Sequence, residues 1–530
     1  MFFLSPFAID SIDLNQRPVI LQSIVDDMID QLISETLKAR QRVYSMGQTT
    51  PLHELDLQQP FRCFIKREDL SPIHAYKWRG AYNLMSQISE NHGMEVITAS
   101  AGNHAQGIAL SARKLGMQAT IYMPLSTPQM KRESVLSIGG ENVEVILWGD
   151  TYDEATKEAM RACGEKEIPF VHAFDDLQVI AGQGTIADEM VMSGKGPFDT
   201  VFLQIGGGGL AAGVGSVLKH LNPETRIIGV EGEGQASMAA AIELGNPVEL
   251  KYVDVFCDGT AVRKVGKLTY PICREVIDEF MTVSNEEVSA AIEVLWKTSR
   301  VIAEPSGAMG LAAILKRKSD LVGKKALAVL CGANIDFHQL GNISHTSGIG
   351  SATKRYFRFR ILERSGELLR LIEEGIGGLN IVDFQYGKTD LEESWPILGI
   401  AGSAEELEVL PENLRNSSVH FSEVTSSPDV CFRVIPFRSR LISHGFFIEL
   451  EFPERPGALR DFLKSVRGSA NICYFNYQYT GERVGRALIG FEFKSWDERV
   501  VFTEGMSSGH WQFRAFRELP DEVRNRIADD

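Results

Sequence analysis

The chain has 530 residues and a mass of 58.7 kDa, so at roughly 100 to 200 residues per domain it holds about three domains and is not a single small module. Lys and Arg number 54 against 70 Asp and Glu, and the resulting net charge of -16 argues against a nucleic-acid partner or an anionic membrane surface. With 44% hydrophobic and 23% charged residues, the composition is that of a folded globular protein rather than a disordered one.

At the N-terminus, MFFLSPFAIDSIDLNQ lacks a leading Lys or Arg and soon meets Asp10 and Asp13, so it does not read as a signal or transit peptide. No stretch approaches 18 apolar residues, so no membrane span is expected. The seven cysteines (63, 163, 257, 273, 331, 431 and 473) are odd in number and contain no C-x-x-C pair. Neither a zinc site nor a disulfide framework is expected, and a reducing, cytoplasmic location fits best.

From about residue 60 to 335, short β-rich runs alternate with helical stretches: EVITA then HAQGIALSARKLG, ATIYMP, TVFLQI then LAAGVGSVLKHL, RIIGVE, and KALAVL. That alternation predicts βαβ units and a mainly parallel sheet.

Four segments in this region carry chemistry. Lys77 stands among aromatics in HAYKWRGAYN, after the charged run Lys66-Arg67-Glu68-Asp69. Partial desolvation there lowers a lysine's pKa and makes its amine nucleophilic enough for a Schiff base. Ser100-Ala101-Gly102-Asn103-His104 marks a strand-to-helix turn. Ser100 is a candidate N-cap, the exposed amides suit a carboxylate, and Asn103 suits a ring oxygen. His104 is read as structural rather than catalytic. Gly206-Gly207-Gly208-Gly209 lies between TVFLQI and a helix starting near Leu210. Several backbone N–H groups can converge there on a phosphate. A dinucleotide fingerprint is the rival, with Gly206, Gly208 and Ala211 as G-x-G-x-x-A and Glu231 as the ribose-binding acid. Cys331 ends the strand KALAVL, where ligand contacts gather in α/β sheets.

Near residue 345 the polar, Gly/Ser-rich NISHTSGIGSATK suggests a domain boundary. Beyond it the chain repeats itself at an offset of 91 residues. Phe357, Phe359 and Ile361 fall on Ile448, Leu450 and Phe452. Arg364-Ser365-Gly366 falls on Arg455-Pro456-Gly457, and Asn380-Ile381 with Phe384 and Tyr386 falls on Asn471-Ile472 with Phe475 and Tyr477. Each unit continues through a strand, a helix and a final strand, which predicts two βαββαβ ferredoxin-like sandwiches.

The order KRED, YKWRGAYN, ASAGNHAQG, AGQGT, GGGGL, DGTAV, EPSGA and CGAN closely resembles the fold-type II pyridoxal-phosphate enzymes of the threonine dehydratase group, over about residues 40 to 345. FPERPGAL at residues 452–459, Asn471-Ile472 and Gly485-Arg486 resemble the regulatory ACT-like domains of the biosynthetic members. The resemblance implies a tryptophan-synthase-β-like catalytic domain over residues 1–345 and two ACT-like domains over 353–428 and 444–519.

It further implies that Lys77 carries pyridoxal phosphate and serves as the base, and that Gly206, Gly207, Gly208, Gly209 and Leu210 hold the phosphate. Asn103 then meets the ring oxygen and Cys331 lies beside the ring nitrogen. Ser100, Ala101, Gly102, Asn103 and His104 receive the substrate. The implied reaction converts L-threonine, with L-serine as an alternative substrate, to 2-oxobutanoate and ammonia in a homotetramer inhibited by isoleucine. Alternatives are a catabolic serine/threonine dehydratase, an NAD-dependent oxidoreductase, and an inactive amino-acid sensor. Ala75 stands where relatives usually have serine. Ser237 follows Glu231 where serine racemase relatives have an acid, so no divalent metal is expected.

Overall fold

A computed structural model describes residues 17–91, 93–362, 367–385, 392–417, 419–427, 442–453, 469–477, 484–507 and 515–521, with a few single residues between them. The Arg364-Ser365-Gly366 and Arg455-Pro456-Gly457 turns and Tyr386 lie outside the described residues. Chain contacts divide the protein into two units, the first ending at Ile335 and the second opening at Asp336 and including Ser126–Pro128.

The first unit contains two sheets. Six strands order as β1-β2-β9-β6-β7-β8, namely β1 (Leu52–Leu55), β2 (Arg62–Arg67), β6 (Thr200–Gln204), β7 (Arg226–Gly232), β8 (Glu279–Val283) and β9 (Lys325–Leu330). All pairs are parallel except β1 with β2. Every residue of β6 is buried, as expected of a parallel strand covered on both faces. The smaller sheet is parallel β3-β4-β5 (Glu95–Ala99, Gln118–Met123, Val143–Leu147).

Helices α1 (Arg17–Met46), α2 (Trp78–Asn91), α3 (Asn103–Leu115), α4 (Gln129–Gly139), α5 (Tyr152–Lys166), α6 (Leu177–Met192), α7 (Gly209–Leu221), α8 (Ser237–Leu244), α9 (Thr269–Val276), α10 (Asn285–Ser299) and α11 (Pro305–Lys316) complete the unit. Their starts follow local chemistry. Thr151 with Glu154 and Ser284 with Glu287 form capping boxes for α5 and α10. Asp176 caps α6 by accepting from the N–H groups of Gln178 and Val179. Pro305 opens α11 at its first position.

In the second unit, which opens at Asp336, most of the polar stretch near the expected boundary at 345 is helical, as α12 (Gln339–Gly350). Two sheets follow. In the first, β10 (Lys354–Leu362), β11 (Asn380–Gln385), β13 (Ile397–Ala401) and β14 (His420–Glu423) pair antiparallel in the order β11-β13-β10-β14, with the short β12 (Glu393–Ser394) also on β10. In the second, β15 (Phe446–Pro453), β16 (Asn471–Tyr477), β17 (Val484–Glu492) and β18 (Ala515–Glu518) order as β16-β17-β15-β18.

Both sheets have the strand order of a ferredoxin-like fold. The crossing helices include α13 (Glu367–Arg370), which continues into a π-helical turn over Leu371–Ile376, then α14 (Ala404–Asn416) and α15 (Trp496–Ser507). The repeat extends to detail that the strand pattern did not show. A register irregularity falls at Ile381/Asp383 and again at Ile472/Tyr474. A Cβ on Gly399 would lie 2.8 Å from the Tyr356 ring, and one on Gly490 would lie 2.5 Å from the Phe447 ring. Among the described residues no helix is long and apolar enough to cross a membrane.

Candidate active site

The Lys77 segment is held by backbone pairing. Tyr76 N donates to Cys331 O at 3.1 Å and Ala333 N donates to His74 O at 2.9 Å, with Ala75 bridging Gly332. The chain after β2 therefore runs antiparallel to the chain after β9, which brings Lys77 and Cys331 to one place. The Ser71 hydroxyl accepts from Ala75 N at 3.0 Å and donates to Ala75 O at 2.8 Å. Ala75 needs no hydroxyl of its own for this loop to close. The Lys77 amine reaches Gly259 O at 3.4 Å, in a cleft that Tyr76, Asn103 and Phe174 also line.

The glycine run forms one wall of that cleft. Gly208 adopts φ 94° and caps α7, a left-handed conformation that favours glycine. The N–H groups of the first turn of α7 have no acceptor within their own helix, and Leu210 in that turn also lines the cleft. A Cβ on Gly207 would lie 2.3 Å from the Phe174 ring, and one on Gly206 would lie 2.8 Å from Thr260 Cα. The bare backbone is thus required by protein packing as well as by any anion. Thr269 Oγ1 donates to Gly207 O at 2.5 Å and fixes the loop from behind.

Opposite lies Asn103, the first residue of α3. Its amide donates to Glu304 Oε1 at 2.7 Å and its carbonyl accepts from Asn334 Nδ2 at 2.8 Å. Glu304 is buried, and that burial, aided by the nearby Asp258 charge, pushes its carboxyl up to about 7 against the opposing pull of Lys131, Asn103 and Lys77. A Cβ on Gly332 would sit 2.4 Å from Glu304 Oε1, which accounts for the glycine in CGAN. The Cys331 side chain is buried, and desolvation first, then Glu304, holds its thiol protonated.

Of the five residues in the predicted substrate turn, Asn103 lines the cleft. Ser100 does not cap α3. Its hydroxyl accepts from Gly102 N at 3.3 Å, and Gly102 is the cap, because the turn runs two residues further than expected before helical geometry begins. Ser100, Ala101 and Gly102 form the loop between β3 and α3. His104 is buried on the far side, with Nε2 on Val171 O at 3.2 Å. Burial, then the Lys77 charge, lowers it to about 3.

The charged run before Lys77 is internal. Lys66, Glu68 and Arg79 are fully buried. Arg79 grips Glu68 with both ends at 2.9 Å and Glu189 at 2.7 Å, while Lys66 reaches Glu189 at 2.7 Å and Glu68 at 3.0 Å. The pairs join β2, α2 and α6. Sequence reading did not separate this network from the site. It places Glu304 and Asn334 within the EPSGA and CGAN motifs without giving either a role, and it does not single out Phe174. A lone acid inside the apolar VIAEPSGAMG was a usable signal for Glu304. Phe174 lies on an irregular loop and gave none.

Glu231 is committed elsewhere. Its two oxygens accept from Met238 N and Ala239 N, both at 2.8 Å, at the start of α8, and Glu231 is buried and does not line the cleft. This removes the acid on which the dinucleotide reading depended.

A profile of the pyridoxal-phosphate dependent enzyme family matches residues 44–332, and one of the C-terminal regulatory domain of threonine dehydratase matches residues 441–523. The biosynthetic L-threonine dehydratase of Haemophilus influenzae is 36% identical over 492 residues, covering 91% of this chain and 94% of that one. The chain belongs to the biosynthetic threonine dehydratase family. The chloroplastic biosynthetic threonine dehydratase of Arabidopsis thaliana is 34% identical over 85% of this chain and 77% of its own. Among solved structures, the processed threonine deaminase isoform 2 of Solanum lycopersicum is similar with TM-score 0.58 and 39% identity, covering 61% of this chain and 94% of that one.

The cofactor of this threonine dehydratase family member is pyridoxal phosphate, and the residues present fit it. The cleft joins a lysine amine, a glycine cradle that any Cβ would fill, a helix N-terminus and a neutral thiol.

Proposed function

We propose that this lyase eliminates water from L-threonine at the cleft between Lys77 and residues 206–209, giving an unsaturated amine whose hydrolysis yields 2-oxobutanoate and ammonia, and that its second unit binds L-isoleucine as an inhibitor. The observation that supports the reading most is the placement of Lys77, Asn103, Cys331 and the glycine cradle on one cleft.

When bound, the cofactor supplies the electron sink for breaking the Cα–H and Cβ–O bonds. The rest falls to side chains of this chain. Lys77 would hold the cofactor covalently, and its amine, when free, would take the α-proton of the substrate. The Gly206–Gly209 amides and the α7 N-terminus, at Leu210, hold the phosphate. Asn103, fixed by Glu304 and Asn334, meets the ring oxygen. Cys331, a neutral group lining the cleft, would face the ring nitrogen and would not stabilise a positive charge there as a carboxylate would. That keeps the electron sink mild, which suits departure of the β-hydroxyl over transfer of the amino group. The Ser100–Ala101–Gly102 loop ahead of α3 receives the substrate carboxylate, with His104 supporting it from behind. The unsaturated amine released hydrolyses in water.

Initial rates of 2-oxobutanoate formation test the whole reading. L-Threonine should be turned over, and L-isoleucine should lower the rate severalfold at sub-saturating threonine, in the range of typical coupling energies. Absence of 2-oxobutanoate would remove the reaction, and isoleucine-independent rates would remove the effector. Gly207→Val, which drives a side chain into the Phe174 ring, should weaken pyridoxal-phosphate binding by about 2 kcal/mol, as for losing charge-assisted hydrogen bonds. Unchanged affinity in an equilibrium titration would place the phosphate elsewhere. The family relationship also supports a homotetramer in the cytoplasm, which light scattering and fractionation test.

A further inference from the structure

The wall of the glycine cradle depends on a histidine outside the cleft. Residues 172–176 leave the edge of the small sheet, where Val171 N donates to Ile97 O at 2.9 Å, and run to Asp176, the cap of α6. Within this loop, His172 Nδ1 accepts from two backbone donors, Phe174 N at 3.2 Å and Asp175 N at 2.8 Å. Two donors on one ring nitrogen require it to be unprotonated, which puts the ring proton of the neutral imidazole on Nε2.

The two residues so held brace the cradle from different directions. The Phe174 ring packs edge-on against the His172 ring, with centroids 4.6 Å apart and an interplanar angle of 89°, and it occupies the space where a Gly207 side chain would go. The Asp175 carboxylate accepts from Lys267 N at 2.9 Å, Leu268 N at 2.8 Å and Thr269 N at 3.3 Å, at the start of α9. Thr269 in turn holds Gly207 O.

The charged and titratable groups that face His172 are Asp175 and Asp176 from its own loop and His104 from α3. Burial outweighs the two aspartates and lowers the imidazole below its ordinary 6.5, consistent with a ring kept neutral for these two donors.

We propose that His172 is a positioning residue for the phosphate site: through its unprotonated Nδ1 it sets residues 174 and 175 and thereby the backbone of Gly207, so that affinity for the cofactor's phosphate depends on this imidazole being neutral. A protonated Nδ1 would point a hydrogen at two N–H groups. The loop would have to open, taking Phe174 off Gly207 and Asp175 off α9. The proposal rests on reading residues 206–209 as the phosphate site.

The test compares equilibrium dissociation constants of pyridoxal 5′-phosphate and of phosphate-free pyridoxal for the full-length wild type, His172→Leu and His172→Asn. An asparagine Oδ1 stands at the same bond separation from Cβ as Nδ1, and accepts the N–H groups two and three residues on without titrating. His172→Leu should lose about tenfold in pyridoxal-phosphate affinity and far less for pyridoxal, as expected for losing acceptors that serve only the phosphate wall. His172→Asn should stay within about threefold of wild type near neutral pH. The pH profile gives a second reading that survives misfolding of the leucine variant. The folded pKa is depressed, so the brace is present above 6.5 and is lost as pH falls through the lower, folded value. The wild-type preference for the phosphorylated probe should therefore fall relative to that of His172→Asn as the solution is acidified below 6.5. Equal losses for both probes, or superimposable profiles, would overturn the positioning role. If the wild type showed no preference for the phosphorylated probe, the phosphate site itself would be lost, and that outcome is separate from a tight site indifferent to residue 172.

Discussion

Lys77→Ala is expected to lower 2-oxobutanoate formation by at least about a thousandfold, because one amine provides both the covalent attachment and the base, and general-base catalysis alone contributes about 10² to 10⁴. The protein should remain folded. Lys77 is only partly buried, and its hydrogen bond to Gly259 O is long at 3.4 Å. The loop is set by backbone bonds from Tyr76 to Cys331 and from Ala333 to His74 and by the Ser71 hydroxyl, none of which involves the lysine side chain. The melting temperature should therefore match the wild type while turnover disappears. Retention of more than a few per cent of wild-type rate in buffer free of added amines would show that another group attaches the cofactor.

Much of this site could be read in the sequence because its signals are local. EVITA, TVFLQI and KALAVL are short apolar runs ending at glycine or cysteine turns, and they are the strands β3, β6 and β9. The 91-residue offset placed β10 and β15 in register because alternation along a half-buried strand fixes which residues face inward. What could not be read was long-range. Ser100 satisfied every local rule for a cap, yet the turn extends to Gly102. The burial of Lys66 and Glu68 depends on Arg79 and Glu189, the latter more than a hundred residues away, and a charged run alone does not announce such partners. The same holds for Asn103, whose orientation is set by Glu304 and Asn334. The polar composition of residues 342–354 suggested a domain boundary near 345 but not its secondary structure, and residues 339–350 form a helix with Ile343 and Ser347 buried.

The buried ion network next to the lysine loop carries the second large expectation, a loss of about 3 to 5 kcal/mol in Arg79→Leu. Arg79 lies in the first turn of α2, where a positive charge opposes the helix dipole, and it is fully buried. Only its two carboxylate partners make that position tenable. Burial alone would raise Glu68, but Arg79 and Lys66 outweigh it and hold the carboxyl down at about 2. Removing the guanidinium leaves Lys66 facing two buried carboxylates, one of them without its paired hydrogen bonds.

The pH dependence separates this from a packing defect. In the wild type the depressed Glu68 contributes stability that is present above its ordinary 4.5 and is lost as pH falls toward about 2. In Arg79→Leu that contribution is missing, and the unpaired carboxyl gains stability by taking up a proton. The gap between variant and wild type should be widest at neutral pH and narrow as pH falls through 4.5. Thermal melts of the full chain should show a fall on the order of 10 °C at neutral pH, scaled from typical unfolding entropies, and a smaller fall in mild acid. Arg79→Lys keeps the charge but not the paired geometry and should lie between the two. A gap that stayed constant with pH would assign the loss to the cavity left by the side chain. An unchanged melting temperature would mean that the network is not what fixes α2 and α6 beside the Lys77 loop.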